Sequence, residues 1–330
     1  MNTILRITKP EELPGEQSPG DIAPMEKDDF LAHSPDVHLA LLRGGSLKGR
    51  CSLWWSAVPL LAGEKAGYIG HYAANTDADA ETILSEACRM LAANGAAVAV
   101  GPVDGNTWRR YRLITRRGDE PSFFLEPDNP DTYPKHFESS GFSPIARYYS
   151  SLNEDISQDV SLPDGLRRRL ENDGIIIRQL QPDLFRDELA TIHAISSAGF
   201  SNNFLYSPIS REEFVGMYSK VLSHVRPELV LVAENNEGPV GFIFALPDIL
   251  RVRNGHDDDT VILKSMAVLP EMSGLGIGAL LMAQVSQNAS RMGFRRSIHA
   301  LMHENNRSRK MSMHYGREFR QYTLYSRGIS

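Results

Sequence analysis

A chain of 330 residues exceeds the roughly 100–200 residues of an ordinary single domain, so two domains are the starting expectation. Hydrophobic residues at 42% against 23% charged supply enough apolar surface for a packed core and argue against disorder. A net charge of -6, with no basic block longer than Arg167-Arg168-Arg169, argues against a binder of nucleic-acid backbone, and no apolar run reaches the about 18 residues of a membrane-spanning helix.

The start of the chain lacks a basic-then-apolar leader, and the expected compartment is the cytoplasm. Cys51 and Cys88 are too few for a disulfide framework or a cysteine metal site and are expected as buried apolar fillers. Residues 1–30 carry Pro10, Pro14, Pro19 and Pro24 among acids and glycines, which predicts an extended arm. Val37 to Leu42 and Ser52 to Val58 form a predicted hairpin, and Tyr68 to Tyr72 is a further strand. Thr76 and Asp79 are candidate caps for a helix in which Ile83, Leu84, Ala87, Met90 and Leu91 recur at helical spacing until Asn94-Gly95; Ala97 to Val100 is the next strand. Asn153 to Gly174 loses apolar periodicity and is the predicted linker, with the Arg167–Arg169 run as the solvated face of a helix.

Beyond it come a strand at Ile175-Ile176-Ile177, a helix after Pro182-Asp183, and a second helix capped by the Ser210 and Glu213 pair. Strands follow at Leu229 to Ala233, Val240 to Leu246 and Val261 to Val268; the stripe Phe242, Phe244 and Leu246 faces either a core or a partner. Gly278 to Met292 is a helix stopped by Gly293. A strand at Ile298 to Met302, a helix at Ser308 to Tyr315 and a strand at Tyr322 to Tyr325 close the chain.

In the loop of residues 269–278, Gly274, Gly276 and Gly278 alternate ahead of a helix. Such a loop lets backbone N–H groups approach an anion closely, and the helix behind it adds the positive end of its dipole. A diphosphate suits that geometry. The dinucleotide-binding fingerprint is the rival, but the register is Gly-x-Gly-x-Gly and no acidic ribose binder follows at about 20 residues.

On these residues the sequence resembles the GNAT superfamily of N-acetyltransferases, over most of residues 175–327. Val268-Leu269-Pro270-Glu271 followed by Ser273-Gly274-Leu275-Gly276-Ile277-Gly278 looks like the family's strand end and diphosphate loop, with Ser273 where the family usually has Arg or Gln. Asn305-Asn306-Arg307-Ser308 and Tyr315-Gly316 are similar to its second marker. The resemblance implies an α/β (α+β) fold of two tandem GNAT-like domains, each a mixed, mostly antiparallel central sheet flanked by helices. It implies acetyl-coenzyme A or another acyl-coenzyme A as co-substrate, and no metal. The cofactor site implied comprises Ser273, Gly274, Leu275, Gly276, Ile277 and Gly278, together with Asn305 and Ser308. Met266, Ala267 and Val268 complete it, with free backbone groups of Met266 and Val268 pairing with the pantetheine amides in a splay between two strands.

Acyl transfer to an amine needs a base for its proton and an acid for the leaving thiolate. The family often takes the base from an acidic residue on the strand before the loop and the acid from a tyrosine on the last helix. Here Lys264 lies near the first position and Ser312 at the second, with Tyr315 three residues further on. His303 and Glu304, at the end of the strand that would wall the splay, and Tyr315 are therefore the candidate catalytic residues. Asn203, Phe204 and Tyr206, in the connection between this half's first two helices, are the candidate acceptor-binding residues, on a loop that would equally suit docking of the other half. Asp257-Asp258-Asp259 is expected as an exposed turn.

Residues 37–150 repeat the same order of elements, and Tyr133 to Phe142 resembles the family's closing region. Their counterpart of the diphosphate loop, Ala73 to Asp79, has no glycine and two acids, which would repel an anion. The expected domains are an arm at 1–30, a degenerate GNAT-like domain at 31–152, a linker at 153–174 and an acyl-coenzyme A-binding domain at 175–330. Gly101 to Arg112, dense in polar, aromatic and basic residues, suits either the interface between the halves or an acidic acceptor.

The function expected is an acyl-coenzyme A-dependent N-acyltransferase that moves an acetyl group directly to the amine of a small-molecule or peptide acceptor. Two other classes fit the same motifs. One is a coenzyme A-binding sensor or scaffold with little turnover; the other is a Fem-like aminoacyl or peptidyl transferase, which the acidic charge, the lack of a long helical arm and the retained glycine loop oppose.

Overall fold

The computed structural model describes residues 2–15, 22–157, 165–313 and 316–329. The first half runs β1 (Asn2–Ile7), α1 (Lys27–His33), β2 (Val37–Arg43), β3 (Ser46–Trp54), β4 (Ala66–Ala74), α2 (Asp77–Ala93), β5 (Val98–Gly101), β6 (Leu113–Arg116), α3 (Tyr133–Ser139) and β7 (Ser143–Asn153). After α4 (Leu166–Asn172) come β8 (Ile176–Gln179), α5 (Phe185–Phe200), α6 (Arg211–Ser219), β9 (Val230–Asn235), β10 (Gly238–Pro247) and α7 (Ile249–Arg253). The chain closes with β11 (Thr260–Val268), α8 (Ile277–Arg291), β12 (Arg296–His303), α9 (Arg307–Ser312) and β13 (Arg317–Gly328).

All strands join one sheet in the order β1-β2-β3-β4-β5-β13-β7-β12-β11-β10-β9-β8, with β6 also paired to β13. Its pairings are antiparallel except β4 with β5 and β11 with β12, the two places where a helix crosses between neighbouring strands. The order shows an exchange. β7, the last strand of the first half, lies against β12, while β13, the last of the second, lies between β5 and β7.

Side-chain alternation along β10 builds the second half's two cores. Phe242, Phe244 and Leu246 pack under α5 and α6, so this stripe faces a core; Ile243 and Ala245 face Leu281, Val285 and Ala289 of α8. In the first half, Ile83, Leu84, Ala87 and Leu91 of α2 cover Leu39, Leu41 and Ile69. A further cluster joins the halves, with Tyr68, Val100, Tyr148 and Tyr322 packed against Leu205, Phe204 and Leu301. Cys51 and Cys88 are buried free thiols, and Asp257 and Asp258 are exposed. Among the described residues no helix is long and apolar enough to cross a membrane.

Two expectations change. Residues 2–7 of the expected arm are strand β1, paired antiparallel to β2 from Asn2↔Arg43 to Ile7↔His38, with Ile7 buried against Ile22, Met25 and Phe30. The prolines follow this strand and do not interrupt it. The expected linker holds α4, whose Leu166 and Leu170 are buried in the same core as α8; residues 158–164 of that linker lie outside the described residues.

Among the ion pairs that hold the exchange, one is fully buried. Arg320 of β13 and Glu126 of the first half have fully buried side chains, 0% and 0% exposed, with Nε 2.9 Å from Oε1. Arg320 also donates to the carbonyls of Arg117, Glu120 and Pro121, and the Tyr322 hydroxyl donates to Glu126. Burial pushes the Glu126 carboxyl up, while Arg320 and Tyr322 hold it down. Arg320→Met strands this carboxylate in the core and should cost about 3–5 kcal/mol, read as a lower thermal midpoint at neutral pH. An unchanged midpoint would remove the pair from the supports of the exchange.

Candidate functional site

The parallel pairing of β11 with β12 runs from Thr260↔Arg296 to Leu263↔His299 and then stops. A bulge breaks β12 between His299 and Met302, and within it Leu301 takes φ +60. A bulge of this kind bends its strand. Past it, β12 follows β7, pairing Met302↔Tyr149 and His303↔Tyr148, and the gap it leaves beside β11 is a cavity of about 560 Å³. Lys264, Ser265 and Met266 line it from β11, His299 to His303 from β12, and Phe200, Asn203, Phe204 and Tyr206 from α5 and the loop after it. A second cavity of about 480 Å³ lies against Arg109, Arg110, Leu125, Glu126 and Met217, and shares Trp108, Tyr111, Arg112, Tyr218, Lys264 and Leu301 with the first.

Next to the gap stands the glycine loop. Gly274 at φ +86 and Gly276 at φ +97 turn the chain into α8, and the first intrahelical bond runs from Leu280 N–H to Gly276 O. The amides of Ile277, Gly278 and Ala279 thus have no acceptor within the helix and stand at its positive end. A Cβ on Gly278 would lie 3.5 Å from Met266 Cε, so the loop adjoins the cavity wall. From behind, α4 supports the turn. A Cβ on Gly276 would lie 2.7 Å from Leu166 Cδ1, and Arg169 Nη2 donates to Leu275 O at 2.9 Å. The arginine run is therefore more than a solvated face: Arg167 bonds Gln284 of α8 at 3.2 Å, and only Arg168 and Arg169 are exposed.

Of the residues singled out from sequence, Asn203, Phe204, Tyr206, Met266, His303 and Asn305 share one cavity. Ala267 is buried in the core beneath α5, where a Cβ on Gly199 would lie 3.0 Å from its Cβ, and Val268 packs on the α8 side. Glu304 is not among the cavity's residues: its Oε1 accepts the Arg147 N–H at 2.9 Å and secures the β7–β12 edge. Tyr315 lies outside the described residues, as does the side chain of Ser308. His303 Nδ1 accepts the Asn305 N–H at 3.1 Å, which puts the proton of the neutral ring on Nε2. Burial lowers the pKa of His303, with Glu304 opposing and Arg112 reinforcing, so at neutral pH the ring is a donor.

Several lining groups were given no role from the sequence, although Lys264 and Ser312 were noted at the family's base and acid positions. Lys264 lines both cavities and forms no ion pair with the described residues; burial lowers its pKa to about 8, Arg112 reinforcing and Glu126 opposing. The Arg112 guanidinium lies 3.9 Å from the Tyr111 ring and 4.1 Å from the Tyr148 ring, two rings set edge to face at 88°, on a residue with φ +68. His299 Nδ1 and Ser312 Oγ, both in the first cavity's wall, are 2.6 Å apart. The available signals were a lysine inside the apolar run of β11 and an arginine closing the polar segment of residues 101–112.

The equivalent gap in the first half is filled by the chain itself. β4 and β5 pair only from Ala66↔Val98 to Tyr68↔Val100. Beyond that Val103 N–H donates to Ile69 O at 2.8 Å, His71 N–H donates to Asp104 Oδ1 at 2.6 Å, and a Cβ on Gly70 would lie 2.1 Å from Val103 O. At the start of α2, Thr76 Oγ1 accepts the Asp79 N–H, and the Asp79 carboxylate meets Arg43 at 2.8 Å. An arriving anion finds that helix end capped and acidic.

Two outcomes follow from this geometry. Gly276→Ala forces an alanine to a positive φ against Leu166 and should cost about 1–3 kcal/mol, read in the thermal midpoint. Lys264→Met should raise the midpoint at pH 7, since a half-buried cation without an ion-pair partner among the described residues is replaced by an apolar side chain of similar length, a gain of about 2–3 kcal/mol. The ammonium is disfavoured in the folded state, so that gain is full below pH about 8 and fades as pH rises towards 10.5, where the unfolded lysine also loses its proton. A gain independent of pH over that range would contradict the charge argument.

Comparison with known proteins adds a family. Residues 193–316 match the model of the acetyltransferase (GNAT) family. Among curated proteins the chain is similar to Protein YghO of Escherichia coli, 24% identical over 193 residues, which are 57% of this chain and 48% of that protein. It is also similar to the bacterial ceramide synthase of Caulobacter vibrioides, 23% identical over 226 residues, which are 67% of this chain and 58% of that protein. The chain thus matches about half the length of these relatives. Among solved structures, a probable N-acyltransferase of Enterococcus faecalis aligns over 100% of this chain and 73% of its own with TM-score 0.58 at 10% identity. A tandem GNAT protein from the clavulanic acid biosynthesis pathway aligns over 100% and 99% with TM-score 0.51 at 9% identity, a likeness of fold. Residues 193–316 thus carry the match to the GNAT family, and the fold of the whole chain is like that of a tandem GNAT structure.

Proposed function

We propose that the protein is an acyl-coenzyme A-dependent N-acyltransferase that moves an acetyl group to the amine of a small-molecule or peptide acceptor. The observation that carries this reading is the gap between β11 and β12, which adjoins the glycine turn at the start of α8 and opens into an aromatic-walled cavity. The amides at the start of α8 would take the diphosphate, the free edge of β11 from Met266 to Val268 the pantetheine, and the cavity the thioester. His303, with its proton on Nε2, would donate to the thioester carbonyl oxygen as negative charge develops there. The first half, whose own gap is filled by Val103 and Asp104, serves in this reading as a GNAT-like domain without a coenzyme A site, and Asn203, Phe204 and Tyr206 border the acceptor.

A longer acyl group is a second reading. Cavities of about 560 and 480 Å³ with shared walls exceed the space of an acetyl group, and one relative carries the name ceramide synthase.

Calorimetric titration of acetyl- and palmitoyl-coenzyme A into the wild type and Gly276→Glu should give binding by the wild type alone, and the tighter thioester assigns the acyl length. No binding of either sinks the reading; tight binding with no thiol release across an amine panel transfers it to a sensor. His303→Ala should lower turnover by about 100-fold with little change in thioester affinity, and His303→Gln, which keeps a donor, should recover part of the loss.

A further inference from the structure

We infer that the acceptor carries a carboxylate, seated on Arg112 and Lys264, so that the amine acylated is that of an amino acid or a closely related amino carboxylate. This rests on the transferase reading above and deepens it.

Arg112 is 7% exposed and lines both cavities. Its hydrogen bonding is nearly unused: Nη1 reaches Leu301 O at 3.4 Å, and the buried Nε has no partner among the described residues. The rings of Tyr111 and Tyr148 contact the guanidinium at 3.9 Å and 4.1 Å but stand at 88° to each other with centroids 5.4 Å apart, so they flank one side of it without enclosing it, and its Nε is left for a ligand. Lys264 shares the same walls, and no carboxylate among the described residues pairs with it. The acids of the second cavity are committed elsewhere. Glu126 is bound by Arg320, and Asp128 by Arg117 at 2.8 Å. The first cavity has no acidic residue in its wall.

Two neighbouring cations enclosed without a counter-charge repel each other, and an anion from solution relieves both. The diphosphate does not serve, because its loop is at the start of α8, and the pantetheine that would reach the cavity is uncharged. A planar carboxylate matches the fork of N–H groups on a guanidinium whose Nε has no partner among the described residues. With that carboxylate on Arg112, the remainder of the acceptor faces Phe200, Phe204 and His303 at the end of β12, where the thioester would lie.

The test needs no turnover. N-acetyl amino acids from glycine to phenylalanine, each paired with its carboxamide, are titrated into the coenzyme A-loaded wild type, Arg112→Gln and Lys264→Met. In the wild type at least one acid should bind about tenfold or more tighter than its amide, as loss of a charge-assisted hydrogen bond predicts. Either substitution should bring that ratio to within about threefold while coenzyme A affinity stays unchanged. Equal binding of acids and amides, or binding of neither to a protein that does bind coenzyme A, overturns the inference. A wild type that fails to bind coenzyme A overturns the transferase reading instead. Should Arg112→Gln not fold, Lys264→Met carries the test alone, and an undiminished acid preference in it counts against the assignment.

Discussion

The sheet of this protein cannot be cut between its halves without removing a strand from each. β13, the last strand in sequence, fills the space between β5 and β7, and β7 in turn carries the edge of β12 beyond its bulge. The backbone groups of these strands have no other sheet to satisfy them, and unpaired buried amides are costly. Hence the wall of the first cavity is a product of the exchange. His303 stands opposite Tyr148, and Tyr148 opposite Tyr322 of β13. Arg112, from the first half, is held over the ring of Tyr148 and near that of Tyr322 at 5.9 Å.

Both halves part a parallel strand pair after three or four residues, and they treat the opening differently. In the second half, Gly274 and Gly276 keep the helix end open, and the bulge at Leu301 widens the gap. In the first, the chain after β5 doubles back, donates the Val103 N–H to Ile69 O of β4 and accepts the His71 N–H of β4 on the Asp104 carboxylate. A strand edge left free in a cleft recruits whatever can hydrogen-bond to it. One half satisfies its edge internally and the other leaves it open to the cavity, which is a physical account of how two like halves come to differ.

Local signals read from the sequence were those with a short physical cause. The Ser210–Glu213 cap, whose Oγ accepts the Glu213 N–H at 3.1 Å, the helix of residues 277–291 and the glycine turn ahead of it all follow from spacing within one element. β1 was hidden because six residues are too few to outweigh the prolines that follow, and its pairing to β2 is a tertiary fact. The helix around Arg167–Arg169 was expected, but the packing of α4 was hidden, because the contact that fixes it is Leu166 on Gly276 across more than a hundred residues. Nor does spacing reveal which of two adjacent candidates faces inward. His303 and Glu304 differ by one position at a strand end, and strand alternation sends the first into the cavity and the second to the Arg147 amide.

Three of the seven non-glycine residues with positive φ among the described residues line the two cavities. Leu301 and Arg112 take positive φ in the shared wall, Leu125 does so in the second cavity, and Lys264 places an ammonium among apolar neighbours. Each such conformation costs on the order of 1–3 kcal/mol and persists only where the surrounding structure holds it. Leu301 is held on both sides, its N–H by Ser150 Oγ at 3.1 Å and its carbonyl by Arg112. Ser150 belongs to β7 and is itself 3.1 Å from the Tyr322 hydroxyl of β13, which donates in turn to Glu126. A buried polar chain therefore runs from the Arg320–Glu126 pair that anchors the exchange to the bulge that opens the gap. Strain at the bulge is supported by the same strands whose exchange creates the cavity, so the opening in β12 and the joining of the halves are one structural event.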